Sequence, residues 1–183
     1  MPRGSAAELS RKRAAVAELF ETHFEKIVRY IAVRIGDIHE AEDLGSEVFV
    51  RALRGVESYK ETGAPMEAWL FKIAHNITVD YLRSRGRRPA SVPLDEDLLV
   101  FSKHDLDENL ERQEQVRQLQ QAMEQLTDAQ RQVLALRFGG DMTSEQVAEM
   151  MGRRPGAVRE MQSAGIKRLR QILDKLQAEA PVR

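Results

Sequence analysis

The 183-residue chain has no cysteine, which excludes disulfides and thiolate chemistry. Aromatic residues make up only 5%, so there is no dense set of rings for trapping unpaired bases. The four histidines, His23, His39, His75 and His104, are too scattered to form a recognisable metal site. No Gly-rich phosphate loop or nucleophile motif occurs, so the expectation is no enzyme activity and no cofactor. No apolar run approaches the length of a bilayer span, and the opening MPRGSAAELSRKR lacks the apolar stretch of a secretory signal. The expected location is therefore cytoplasmic.

What the chain does have is helical periodicity and 42% hydrophobic residues, enough to bury a core. Its net charge of -1 hides a division along the sequence. Residues 1–90 hold 15 basic against 13 acidic side chains, residues 91–126 hold 3 against 9, and residues 127–183 hold 10 against 7. Phosphate contact depends on local charge within a Debye length of about 8–10 Å, so a near-neutral total does not exclude a nucleic-acid partner.

Met142 to Leu173 is the most informative stretch. Thr143 and Gln146 fit a capping box, in which each side chain satisfies an orphan backbone donor, so a helix is predicted from about Ser144. Val147, Ala148 and Met151 give it one apolar face, and Gly152 supplies a left-handed stop. Pro155 suits the first position of a second helix, with Ala157, Val158, Met161, Ile166, Leu169 and Leu173 turned inward. Arg159, Lys167, Arg168 and Arg170 lie on its other face. This is the pattern of a helix-turn-helix, whose second helix enters the major groove. An ordinary helical hairpin with a solvated basic face has the same pattern.

The rest also reads as helix. Val16, Leu19, Phe20, Phe24, Ile27, Val28, Ile31 and Ile35 form a stripe that Gly36 ends, and Asp37 caps the next helix, about 39–54. There Leu44, Val48, Phe49, Ala52 and Leu53 are the expected buried side, while Glu40, Asp43 and Glu47 form an acidic strip. After a loop, Pro65 opens a third helix packed through Met66, Leu70, Ile73, Ile77 and Tyr81, ending in Arg83, Arg85, Arg87 and Arg88. Pro89 and Pro93 bracket a break before an acidic segment read as a linker. A polar helix follows from about Asp107 to Gln125, and a second capping box, Thr127 with Gln130, starts a helix ending at Gly139-Gly140. Met123, Leu126, Val133, Leu134, Leu136 and Phe138 are expected to close the core under the helix-turn-helix. The fold class is all-α: two small helical domains, 1–90 and 119–183, joined by a flexible acidic linker, 91–118.

EAEDLGSEVFVRAL (40–53), WLFKIAHNITVDYLRSRGRR (69–88) and the C-terminal helix-turn-helix together resemble, in order, the two conserved domains of extracytoplasmic-function (ECF) sigma factors, promoter-specificity subunits of bacterial RNA polymerase. The resemblance implies a protein that binds core polymerase, recognises the -10 element with the first domain and the -35 element with the second, and assists initiation. It implies docking of Asp43, Ser46, Glu47 and Arg51 on the β′ clamp, with the β flap as a further polymerase contact. For the -10 element it implies Ser58, Tyr59 and Lys60 in the loop, with Lys72, His75, Asn76, Arg83 and Arg85 on the third helix. Asn76 is the best base reader, because an amide can both donate to and accept from a base edge. For the -35 element it implies Arg153, Arg154, Gly156, Arg159, Glu160, Gln162, Ser163 and Lys167.

The recognition helix departs from the family pattern. Gln162, Ser163, Ala164 and Gly165 occupy a middle that is often basic in the family, with Glu160 ahead of them, and Gly165 is expected to make the helix pliable at about 1 kcal/mol relative to Ala. A dedicated anti-sigma factor is a further implied partner. Two other readings use the same features: a dimeric helix-turn-helix regulator that acts without polymerase, and a sigma-like helical adaptor that reads no DNA. In the acidic linker, Asp95, Glu96, Asp97, Asp105 and Asp107 are read as imitating nucleic-acid charge in the polymerase RNA path, against a plain tether.

Overall fold

The computed structural model describes residues 6–60, 65–85, 115 and 117–179. Helix α1 (Ala6–Ile35) leads into α2 (Ile38–Gly55), a 3-10 turn (Val56–Ser58) and α3 (Met66–Arg85). Helix α4 (117–124), α5 (Asp128–Leu134), α6 (Ser144–Met151) and α7 (Pro155–Glu179) complete the described residues, among which there is no strand. The linker acids Asp95 to Asp107, with Arg87 and Arg88, lie outside them.

The local signals work as the sequence predicts. The Asp37 carboxylate accepts from the Glu40 N–H at 3.0 Å, which caps α2. Both reciprocal hydrogen bonds of a capping box are present at Thr127/Gln130 and at Thr143/Gln146. Helix α1 begins earlier than its apolar stripe, at Ala6; in these mostly polar first turns Leu9 packs on the core and Lys12 donates to the Tyr59 carbonyl at 3.1 Å.

One core runs through both halves of the chain. Ile27, Tyr30 and Ile31 of α1, Val48 of α2 and Leu70 and Phe71 of α3 share a buried cluster with Val133, Leu136, Val147 and Val158. Met123, Leu126 and Leu134 form a smaller cluster with Ile166 and Leu169 of α7. At the seam, His75 Nδ1 lies 3.2 Å from both Tyr30 Oη and Gln132 Nε2. Burial raises the Tyr30 phenol to about 12, so it stays protonated and is able to donate. With Nδ1 as the acceptor, its single in-plane lone pair is shared between the two groups, and the ring is neutral with its proton on Nε2. Asp141 adds contacts to Arg29 at 3.4 Å and Lys26 at 3.8 Å, and Gln120 donates to the Gly36 carbonyl at 3.3 Å.

Three predicted core residues are exposed instead: Phe20 at 41%, Leu53 at 44% and Phe138 at 60%. The first two sit at the margins of their helical stripes. For Phe138 the reason is a π turn, Ala135–Gly139, which continues α5 and is closed by the Gly140 N–H on the Ala135 carbonyl at 3.0 Å. The wider π turn rotates its side chains off the 3.6-residue stripe.

Candidate nucleic-acid and partner interfaces

The C-terminal face is built around a tight turn. Gly152 ends α6 in the left-handed region (φ 61°), with its N–H on the Glu149 carbonyl and the Arg153 N–H on the Ala148 carbonyl at 2.9 Å. Pro155 then opens α7, and Val158 is buried against the shared core. Arg153, Arg154, Gly156, Arg159, Glu160, Ser163 and Lys167 are all exposed. Alongside α7 runs a cleft of about 750 Å³, into which Arg159, Ser163, Lys167 and Arg170 project basic and polar groups.

Arg159 pairs with Glu145 of α6 at 3.3 Å, but both side chains are more than half exposed. Solvent screens such an exposed pair, so the guanidinium is readily given up to a phosphate or base. The backbone N–H of the first turn of α6 holds the Glu145 carboxyl below the usual carboxylate range, with Thr143 and Arg159 acting the same way.

Gln162 differs from its neighbours. It is half-buried, and its Oε1 accepts from Arg137 Nε at 3.0 Å. It therefore belongs to the support of α7 rather than to its outer face. Gly165 is buried, and a Cβ there would come within 3.2 Å of Leu134 Cδ1. The glycine lets α7 approach α5 closely, which replaces the expectation of a merely pliable helix. Nothing in the sequence pattern marks Arg137, because its contact depends on the π turn.

On the N-terminal half, Asp43, Ser46 and Arg51 are exposed on α2 and Glu47 is half-exposed. Arg51 Nε donates to Glu47 Oε1 at 2.8 Å, and Ser46 Oγ donates back to the Glu42 carbonyl. Val50 and Leu53, at 39% and 44% exposed, continue the same face. Helical spacing alone puts Leu53 on the buried side and gives Val50 no role.

On α3 the candidate residues divide. Lys72, Asn76 and Arg83 are exposed. His75 is committed to the seam, and Arg85 donates to the Ile35 carbonyl at 3.4 Å. Tyr59 is 8% exposed and packs on Trp69, ring centroids 5.0 Å apart, so its ring is core rather than a contact surface. Ser58 and Lys60 are exposed, Ser58 donating to the Gly55 carbonyl.

A second, apolar groove of about 390 Å³ opens where α1, α4, the π turn and α7 meet. Val33, Leu119, Met123, Phe138, Ile166 and Leu169 line it.

Residues 19–88 match the family model described as sigma-70 region 2, and residues 122–171 match sigma-70 region 4. The chain is 32% identical over 140 residues to the ECF RNA polymerase sigma factor ShbA of Streptomyces griseus, covering 75% of this chain and 73% of that one. It is 30% identical over 160 residues to the ECF sigma factor BldN of Streptomyces coelicolor, covering 87% of this chain and 60% of that protein. It is 28% identical over 172 residues to the ECF sigma factor SigW of Bacillus subtilis, covering 88% and 90%. In fold it is similar to CnrH in complex with the cytosolic domain of CnrY, with a TM-score of 0.65 at 19% identity, covering 92% of this chain and 96% of that one. It is also similar to the sigma factor RpoE of Bartonella quintana in complex with the anti-sigma factor NepR, with a TM-score of 0.64 at 20% identity, covering 86% and 96%.

Proposed function

The chain belongs to the ECF sigma factors, which bind core RNA polymerase and promoter DNA to start transcription, and on that premise we propose which of its surfaces does what. The observation that carries the reading is the exposed basic face of α7 behind a capped, glycine-ended α6, in one chain with a region 2. Arg153, Arg154, Gly156, Arg159, Glu160, Ser163 and Lys167 face the -35 element, with the arginines and lysine on phosphates or guanine edges. Glu160 is suited to accept from a cytosine amino group.

Asn76 reads a base of the -10 element from α3, while Lys72 and Arg83, with Lys60 and Ser58 from the loop, follow the backbone. Asp43, Ser46, Glu47 and Arg51 dock on the β′ clamp. Val50 and Leu53 extend that surface with apolar contact, which supplies affinity where the charges set register and encounter rate. The protein acts as a regulatory subunit rather than a catalyst, works in the cytoplasm, and is held in check by an anti-sigma factor, as the similar CnrH and RpoE chains are seen in complexes. No helix among the described residues is long and apolar enough to cross a membrane.

A titration of the labelled chain with bacterial core polymerase tests the assignment. One-to-one binding that weakens when Asp43, Val50 or Leu53 is replaced supports it. Binding indifferent to all three places the clamp contact elsewhere.

A further inference from the structure

Arg137 occupies an unusual place. It sits in the π turn, half-buried, between the approach to α6 and the middle of α7. Its Nε–H donates to Gln162 Oε1 at 3.0 Å, and its Nη1 donates to the carbonyl of Met142, the residue before the α6 N-cap Thr143. A guanidinium carries only donors, so Gln162 must turn its oxygen inward. One planar group thus ties together the π turn that carries it, the main chain at the entry to α6 and the side chain of the eighth residue of α7. Gln162 lies three residues after Arg159 and directly before Ser163, so a rotation of α7 about its axis at this point moves both across the DNA-facing side.

We propose that Arg137 is a positioning residue for promoter reading: through Gln162 and the Met142 carbonyl it fixes the rotation of α7 that presents Arg159, Ser163 and Lys167 to the major groove. The proposal rests on the reading of α7 as the -35 helix.

Holoenzyme reconstituted from core polymerase and the full chain is assayed by run-off transcription on a promoter that it selects from a randomised library, and on single-base variants of the -35 region. Arg137→Met, and from the other side of the contact Gln162→Leu, each lower transcription about ten-fold, the scale of a lost hydrogen bond to a charged group, and flatten discrimination among the -35 variants. Gln162→Glu, which offers the guanidinium a carboxylate oxygen, keeps both rate and discrimination. Where Arg137→Met also lowers Tm, the Gln162→Leu and Gln162→Glu pair carries the test. A direct phosphate contact by Arg137 instead predicts a salt slope reduced by about one in Arg137→Met and no effect of Gln162→Leu, which overturns the proposal. Wild-type discrimination retained in both Arg137→Met and Gln162→Leu overturns it too. If the wild-type holoenzyme is itself indifferent to -35 bases, the assignment of α7 fails and the proposal with it.

Discussion

Gly139 lies directly on the backbone of Tyr30: a Cβ at Gly139 would fall 2.9 Å from Tyr30 Cα and 3.0 Å from its amide nitrogen. Real side-chain carbons do not come that near backbone, so glycine is what lets the π turn seat on α1 and the two family regions share one core. Gly139→Val therefore forces the seam apart, at about 1–3 kcal/mol if the packing adjusts. Thermal unfolding followed by circular dichroism should show a Tm several degrees lower. An unchanged Tm would mean that the seam contributes nothing to stability.

The same seam is pH-sensitive through His75. Burial and the nearby Arg34 push its pKa below the ordinary histidine value of 6.5. Tyr30 and Arg34 on α1 and Gln132 on α5 all face it as donors or a cation, so none favours the charged ring. With a depressed pKa in the packed state, the stabilisation is complete above about pH 6.5 and is lost as pH falls through the lower, folded value. Wild type should lose more Tm than His75→Gln between pH 7.5 and 5.5. Equal losses would remove His75 from the account.

On α2 the Glu47–Arg51 pair is exposed and worth only about 0.3–0.5 kcal/mol, so it yields readily to a partner. Asp43→Lys combined with Glu47→Lys should weaken assembly with core polymerase about ten-fold or more, because attraction becomes like-charge repulsion. Helicity should stay unchanged. Wild-type affinity in the double variant would move the docking surface off this strip.

Asn76 and Arg83 separate reading from positioning on α3. Asn76→Ala should change the preference at one -10 position, whereas Arg83→Ala should weaken all promoters alike and lower the salt slope by about one. A uniform loss over a panel of single-base promoters in Asn76→Ala would return Asn76 to the scaffold.

Periodicity and capping made most of the helices legible in the sequence, because Asp37, Thr127, Thr143, Gly152 and Pro155 act through bonds within a few residues. What escaped was decided at a distance. Phe138 and Arg137 lie in a π turn that no local signal announces, and Tyr59 is buried against Trp69, ten positions along the chain. His75 has the residue type and spacing of a DNA contact, yet Tyr30 and Gln132 engage it. The exposed face of α7 is readable because helix-turn-helix geometry fixes which side looks out, while the inward turn of Gln162 is not, because its partner lies 25 residues away.

Promoter-dependent run-off transcription tests the central claim most directly. Core polymerase alone should give only non-specific transcripts, and adding the chain should produce RNA with one defined start that depends on base changes in both the -10 and -35 elements. The chain alone should bind duplex DNA weakly and as a monomer. If core polymerase gains no promoter specificity while a dimer of the chain binds one duplex sequence tightly, the chain works as a free-standing regulator and the polymerase assignment is wrong.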